Sequence, residues 1–129
     1  MPLFEKNGQF VLFVHVPKAG GTTIEHHFLR NGWHQHLFDG GDGATTMNPA
    51  LRASPQHWHA ALLRPLINPA RLAAAFCTIR HPVERMASEY RWRRKFLGVK
   101  AAPDVWMAHA LDTYAANPYV HDNHIRPQV

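Results

Sequence analysis

The stretch that most limits how this chain can fold is Phe10-Val11-Leu12-Phe13-Val14-His15-Val16-Pro17-Lys18-Ala19-Gly20-Gly21-Thr22-Thr23-Ile24. The apolar run from Phe10 to Val16 predicts a buried strand that breaks at Pro17. After the Gly20-Gly21 pair, Thr22-Thr23 with Glu25 in the first turn predicts a helix. Strand, glycine turn and hydroxyl-bearing helix start are the parts of a phosphate cradle. Glycine lets backbone approach closely, the first helical N–H groups have no intrahelical acceptor, and the dipole favours an anion there. Lys18 adds a positive charge beside it. A Gly-Gly pair is also a plain tight turn, so the order of the parts decides the reading.

A nucleoside-triphosphatase loop carries its lysine after the last glycine, directly before Ser or Thr. Here Lys18 precedes both glycines. The segment resembles instead the 5′-phosphosulfate loop of sulfotransferases of the carbohydrate and heparan-sulfate 2-O-type families, H-x-P-K-x-G-G-T-[ST]. A second stretch strengthens the resemblance. Arg80-His81-Pro82-Val83-Glu84-Arg85-Met86-Ala87-Ser88-Glu89-Tyr90 is similar to the 3′-phosphate element of those enzymes, R-[DN]-P-x-x-R-x-x-S-x-[YF], with His81 in place of the usual acidic or amide residue. An arginine can fork two N–H donors onto phosphate and a serine can add its hydroxyl. Two such motifs in the right order carry more weight than either alone.

The rest of the chain fits one domain. Its 129 residues, 46% apolar and 18% charged, suffice for one core of ordinary size. A net charge of +5 and eleven histidines favour anionic partners without choosing among nucleotide, sulfated sugar and nucleic acid. The single cysteine excludes an internal disulfide framework and a cysteine-based zinc site. Cys77 lies in the apolar run Ala73 to Ile79, which predicts a second buried strand and a buried, structural thiol. No targeting segment or membrane span is evident, and a cytoplasmic protein is expected.

Helix one should bury Ile24 and Phe28 and stop near Asn31-Gly32. A short strand is expected within Trp33 to Phe38, and a loop from Asp39 to Pro49. Ser54-Pro55 predicts a helix running to about Leu66. On that helix His57 and His59 would diverge; on a strand they would share a face and a zinc site would return to consideration. With no cysteine or acidic residue nearby in sequence, no metal is expected. After Pro82 the spacing of Val83, Met86, Ala87 and Tyr90 predicts a core-facing stripe. A further helix from Pro103 or Asp104 to about Ala116 should bury Val105, Met107, Ala108, Leu111 and Tyr114. The basic cluster Arg91, Arg94 and Lys95 reads first as a solvated helix face; as a binding patch it suits an anionic sugar better than nucleic acid, which is not the expected partner.

The resemblance implies an α/β fold of P-loop type, with a parallel sheet flanked by helices and the nucleotide at the strand ends. It implies sulfuryl transfer from 3′-phosphoadenosine-5′-phosphosulfate to a hydroxyl, carbohydrate being the expected acceptor. Lys18, Ala19, Gly20, Gly21, Thr22 and Thr23 would hold the 5′ side of the donor, Arg80 and Ser88 its 3′-phosphate. The H-x-H element, His57 and His59, would supply the general base, with His59 favoured and Lys18 also acting in catalysis. A tail similar to an H-x-x-x-Q element would bring His124, Arg126 and Gln128 toward the acceptor. Relatives extend past the equivalent of Val129, so the family fold is expected to be C-terminally incomplete here. Two alternatives stay open. One is a kinase or other nucleoside triphosphatase; the other is a truncated relative that holds a nucleotide or polyanion without chemistry.

Overall fold

The structure is a computed structural model that describes residues 2–41 and 45–128. Its four strands are β1 (Leu3–Lys6), β2 (Gln9–Val14), β3 (His34–His36) and β4 (Leu72–Cys77), ordered β3-β1-β2-β4 in one sheet. Its α-helices are α1 (Gly21–Arg30), α2 (Ala60–Leu63), α3 (Pro82–Phe96) and α4 (Pro103–Ala116). The expected parallel sheet is in fact mixed. Only β2 and β4 pair in parallel, whereas β1 runs antiparallel to both β2 and β3. The cause is a hairpin that the apolar-run reading passed over. Lys6 pairs with Gln9 across a two-residue turn, and Asn7 and Gly8 take φ of 52° and 76°. Asn-Gly suits this turn because both central residues must be left-handed.

The alternation of β2 distributes its side chains between two layers. Val11 and Phe13 meet Phe4, Ile24, Phe28, Trp33 and Phe76 on the α1 side. Leu12 and Val14 face the other way, toward Leu63 of α2, Trp58 and Ile67. A third cluster joins Tyr90 of α3 to Trp106 and Ala110 of α4 and to Ile125 of the tail. Helix α1 stops as expected: Asn31 is its C-cap and Gly32 turns left-handed at φ 75°. The loop after β3 is tied by Asp39, whose carboxylate accepts from Gly41 N and Met47 N; residues 42–44 of that loop lie outside the described residues.

Several local expectations are corrected. The helix expected from Ser54 to Leu66 is a 3-10 turn (Pro55–His57), an extended step at Trp58 and His59, and the single-turn α2. Ser54 does not cap it, because its hydroxyl donates to Asp122 Oδ2 at 2.6 Å. Trp58 is held extended, its indole N–H donating to the Ala53 carbonyl at 3.0 Å. Strand β4 is an edge strand rather than a buried one. Only Leu72 and Phe76 reach the apolar layers, so Ala73, Ala74, Ala75 and the Cys77 thiol are exposed.

On α3, Tyr90 is buried but Val83 is 70% exposed, and the inward face also carries Arg85, Glu89 and Arg93. On α4, Trp106 and Ala110 are buried, with Met107 and Tyr114 packed beside them, while Val105 and Leu111 face out. These inward charges have hydrogen-bond partners, although the buried Arg85 Nε has none among the described residues. Glu89 accepts from Arg93 Nε at 2.6 Å and from His124 Nδ1 at 2.8 Å. Arg85 donates to the carbonyls of His124 and Arg126, both at 2.8 Å, and so fastens the tail to α3. Among the described residues no helix is long and apolar enough to cross a membrane.

Candidate active site

The parallel neighbours β2 and β4 end on the same edge of the sheet, and each is followed by a turn into a helix. Between those two turns lies a cavity of about 400 Å³. Lys18, Gly20, Gly21, Thr22 and Thr23 line it from the first turn and the start of α1, Arg80 from the second turn and Ser88 from α3. His15, His57, Trp92 and His124 complete the wall. Two motifs far apart in sequence therefore meet at one place.

The geometry of the first turn can receive an anion. Gly20 is left-handed at φ 92° and caps α1 without a side-chain bond. The amides of Gly21 and Thr22 have no protein acceptor among the described residues, whereas Thr23 N donates back to Gly20 O. Those two free amides and the α1 dipole make the concavity electropositive. Gly21 is required for a second reason: a Cβ there would fall inside the His15 imidazole. Lys18 is itself left-handed at φ 65°, with its ammonium 5.2 Å from the Trp92 ring centre. No carboxylate lies within ion-pair distance of it among the described residues. Burial lowers the Lys18 pKa and the neighbouring cations Arg93 and Arg80 add to that, while Glu89 opposes it. Ala19 does not line the cavity; its amide turns back onto the Val16 carbonyl at 3.2 Å.

In the second turn, Arg80 has one exposed ion pair, Nε to Glu84 Oε2 at 3.3 Å. Such a pair is worth little in water and is readily exchanged for a phosphate. Its backbone is held from both sides by the Gln128 side chain. Gln128, expected near the acceptor, thus has its amide bonded to the Arg80 backbone.

A second cavity of about 360 Å³ adjoins the first and shares His15, Pro17 and His57 with it. His59, Asn123, Arg126 and Gln128 line it together with apolar Val14, Val16, Trp58, Ala60 and Ala61. His124 falls in the first cavity instead. The two H-x-H histidines differ chemically. Asn123 donates Nδ2 to the His57 carbonyl at 2.7 Å and accepts from Arg126 Nε at 2.7 Å, which fixes its amide orientation. The same Nδ2 points at His59 Nδ1, 3.3 Å away, so that nitrogen is the acceptor and neutral His59 carries its proton on Nε2. His57 is the reverse: Nδ1 lies 2.6 Å from Asp122 Oδ2, which can only accept. Its Nε2 keeps a lone pair that no protein group engages among the described residues. Burial lowers the His57 pKa, as do the nearby charges of His124 and His15, against the raising effect of Asp122.

Sequence reasoning missed the residues behind these histidines. His15 pairs with Glu25, His57 with Asp122 and His124 with Glu89 through Nδ1. The His57 ring centre lies 5.2 Å from that of His15 and 4.6 Å from that of His124. For His15 and Glu25 the ten-residue spacing across the loop gives no local signal; for Asp122 and Glu89 only the folded tail supplies the contact. His57, Asp122 and His124 offer nitrogen and oxygen atoms within 4.8 Å of one another. The acidic group absent from the local sequence thus arrives from the tail, and both Nδ1 atoms are already matched to carboxylates.

No curated protein and no solved structure matches this chain. A family model does, that of the sulfotransferase family, over residues 3–129. On that match the chain belongs to the sulfotransferase family.

Proposed function

We propose that this protein transfers a sulfuryl group from 3′-phosphoadenosine-5′-phosphosulfate to a hydroxyl of a carbohydrate, as one domain of P-loop-like design. One observation carries the reading. Lys18, the Gly21 and Thr22 amides, Arg80, Ser88 and His57 all line a single cavity at the ends of the two parallel strands. The residues suit a doubly phosphorylated nucleotide because two separate cationic sets face that cavity, and the Gly21 cradle tolerates no side chain. Lys18, the two amides and the Thr22 and Thr23 hydroxyls would hold the 5′ side; Arg80 and Ser88 would hold the 3′-phosphate. When bound, the donor supplies an activated sulfuryl group on a phosphate leaving group.

The chain's own residues do the rest. A sugar hydroxyl is a poor nucleophile at neutral pH, and His57 Nε2 takes its proton as the new bond forms. His57 is preferred to His59 because it lines both cavities and its lone pair is free, whereas Asn123 faces that of His59. Lys18 stabilises negative charge growing on the leaving phosphate oxygen. The second cavity receives the acceptor, and its shared wall at His57 puts the base between the two substrates. Incubation with radiolabelled donor and a panel of saccharides tests this reading. Label in a saccharide supports it; bound donor with no label in any hydroxyl compound contradicts it.

A further inference from the structure

Three consecutive residues of the tail, His121, Asp122 and Asn123, are left-handed, with φ of 57°, 56° and 66°. None is glycine, and an L-residue in this region costs about 1–2 kcal/mol. Asp and Asn bear it best, yet a run of three is not how a plain surface turn is made. What the turn achieves is a two-sided grip on one residue. Asp122 reaches the His57 ring, and Asn123 reaches the His57 carbonyl. Ser54 completes the grip, donating its amide to Asp122 Oδ1 and its hydroxyl to Oδ2, both at 2.6 Å, with the same hydroxyl oxygen 3.0 Å from His57 Nδ1. The contacts bridge more than sixty residues of sequence.

We propose that Asp122 is the positioning residue for His57: its carboxylate, presented by this left-handed turn, fixes the imidazole in the Nδ1–H form and keeps Nε2 as the basic nitrogen. The proposal deepens the reading of His57 as the base and rests on it. In water the Nε2–H form of a neutral histidine is the preferred one, so an Nδ1 acceptor is needed to invert the choice. Ser54 aims the carboxylate, and the carboxylate aims the ring. The Asp122 pKa is depressed to about 2: its burial opposes this, but the bonds from His57 and Ser54 outweigh it. The carboxylate therefore stays an acceptor wherever His57 is neutral. Around the His57 ring stand His15 at the end of β2, His124 and Asp122 of the tail, and across the cavity Lys18 and Arg80.

The test is nitrogen-15 NMR of the histidine rings in the ligand-free chain, with the His57 signal assigned by its loss in His57→Asn. The expected native signature is Nδ1–H. In Asp122→Asn, which keeps a residue suited to the left-handed turn, the Nε2–H form should become detectable. The His57 titration midpoint should fall by about one pH unit or more as the nearby anion is removed. Ser54→Ala should keep the Nδ1–H signature, since the Asp122 contact remains. An unchanged His57 signal in Asp122→Asn would overturn the positioning role. The base assignment is tested separately: sulfuryl transfer surviving in His57→Asn would remove His57 from the chemistry while leaving the tautomer result intact.

Discussion

Arg80 and Gln128 exchange two hydrogen bonds: the Arg80 amide donates to Gln128 Oε1 at 2.8 Å, and Gln128 Nε2 donates to the Arg80 carbonyl at 2.7 Å. The side chain thus stands in for a neighbouring strand just beyond β4, and it fixes the backbone from which Arg80 projects. Arg80→Ala should weaken binding of 3′,5′-adenosine bisphosphate by about 1.5–3 kcal/mol, the range for a bond to a charged group. Gln128→Ala should weaken it less, because it loosens the arginine without removing it. Calorimetric titration of both variants measures this, and undiminished affinity in Arg80→Ala would remove the 3′-phosphate assignment.

Lys18 has a different task. Its ammonium lies beside Trp92 with no carboxylate partner among the described residues, ready for an anion. Lys18→Ala should lower kcat by ~10²-fold or more if the ammonium stabilises leaving-group charge. Donor affinity should change less than kcat. Turnover equal to that of the native chain would take Lys18 out of the mechanism.

Gly21 is limited by shape. The space a side chain would need is filled by His15, whose Nδ1 is tied to Glu25 at 2.8 Å and whose ring stacks near Phe13. Gly21→Ala should displace His15 and destabilise the fold by about 1–3 kcal/mol, as overpacking does. Thermal melts would detect this, with bisphosphate binding lost in parallel. A normal melting temperature would mean that His15 moves freely and that the cradle is less rigid than the geometry indicates.

The pH dependence follows from the histidine environments. A general base works in its neutral form, and burial with the nearby charges of His124 and His15 lowers the His57 pKa below its ordinary value. The acid limb of kcat/KM should therefore have its midpoint below ~6.5, the usual value for histidine, with a plateau through neutrality. Burial and Arg126 lower the His59 pKa as well, so the native profile alone does not separate the two. Variants do. His57→Gln should abolish turnover, whereas His59→Gln should retain the acid limb; the opposite pattern would transfer the role to His59.

What could be read from the sequence was local. The strand, glycine turn and helix from Gln9 to Arg30 form one contiguous unit whose breaks are spelled by Pro17, Gly20 and Asn31-Gly32. The start of α3 is likewise marked by Pro82. The Asn7-Gly8 hairpin was equally legible, and overlooking it turned a mixed sheet into a parallel one. Other features depend on distant partners. An apolar run does not reveal whether anything packs over it, so Cys77 was expected inside and lies outside. Periodicity of apolar residues does not find an inward face built from Arg85, Glu89 and Arg93, where Glu89 pairs with Arg93 and the Arg85 terminal nitrogens bond tail carbonyls. Nor does the Ser54-Pro55 signal reveal that Asp122 draws the serine hydroxyl away from the cap. The glycine turn with Lys18 and the Arg80–Ser88 element were written in contiguous motifs; the carboxylates behind His57 and His124 required the fold.

The most direct test of the central claim is the melting temperature of the chain with 3′,5′-adenosine bisphosphate, compared with 5′-AMP and with ATP plus Mg²⁺ at low salt. A ligand at a hundred times its Kd adds ~2.7 kcal/mol to the folded state, a readily measured shift. The account predicts clear stabilisation by the bisphosphate, less by 5′-AMP, and no preference for the triphosphate. Stronger stabilisation by ATP with Mg²⁺, or no response of a cooperatively folded chain to the bisphosphate, would contradict it.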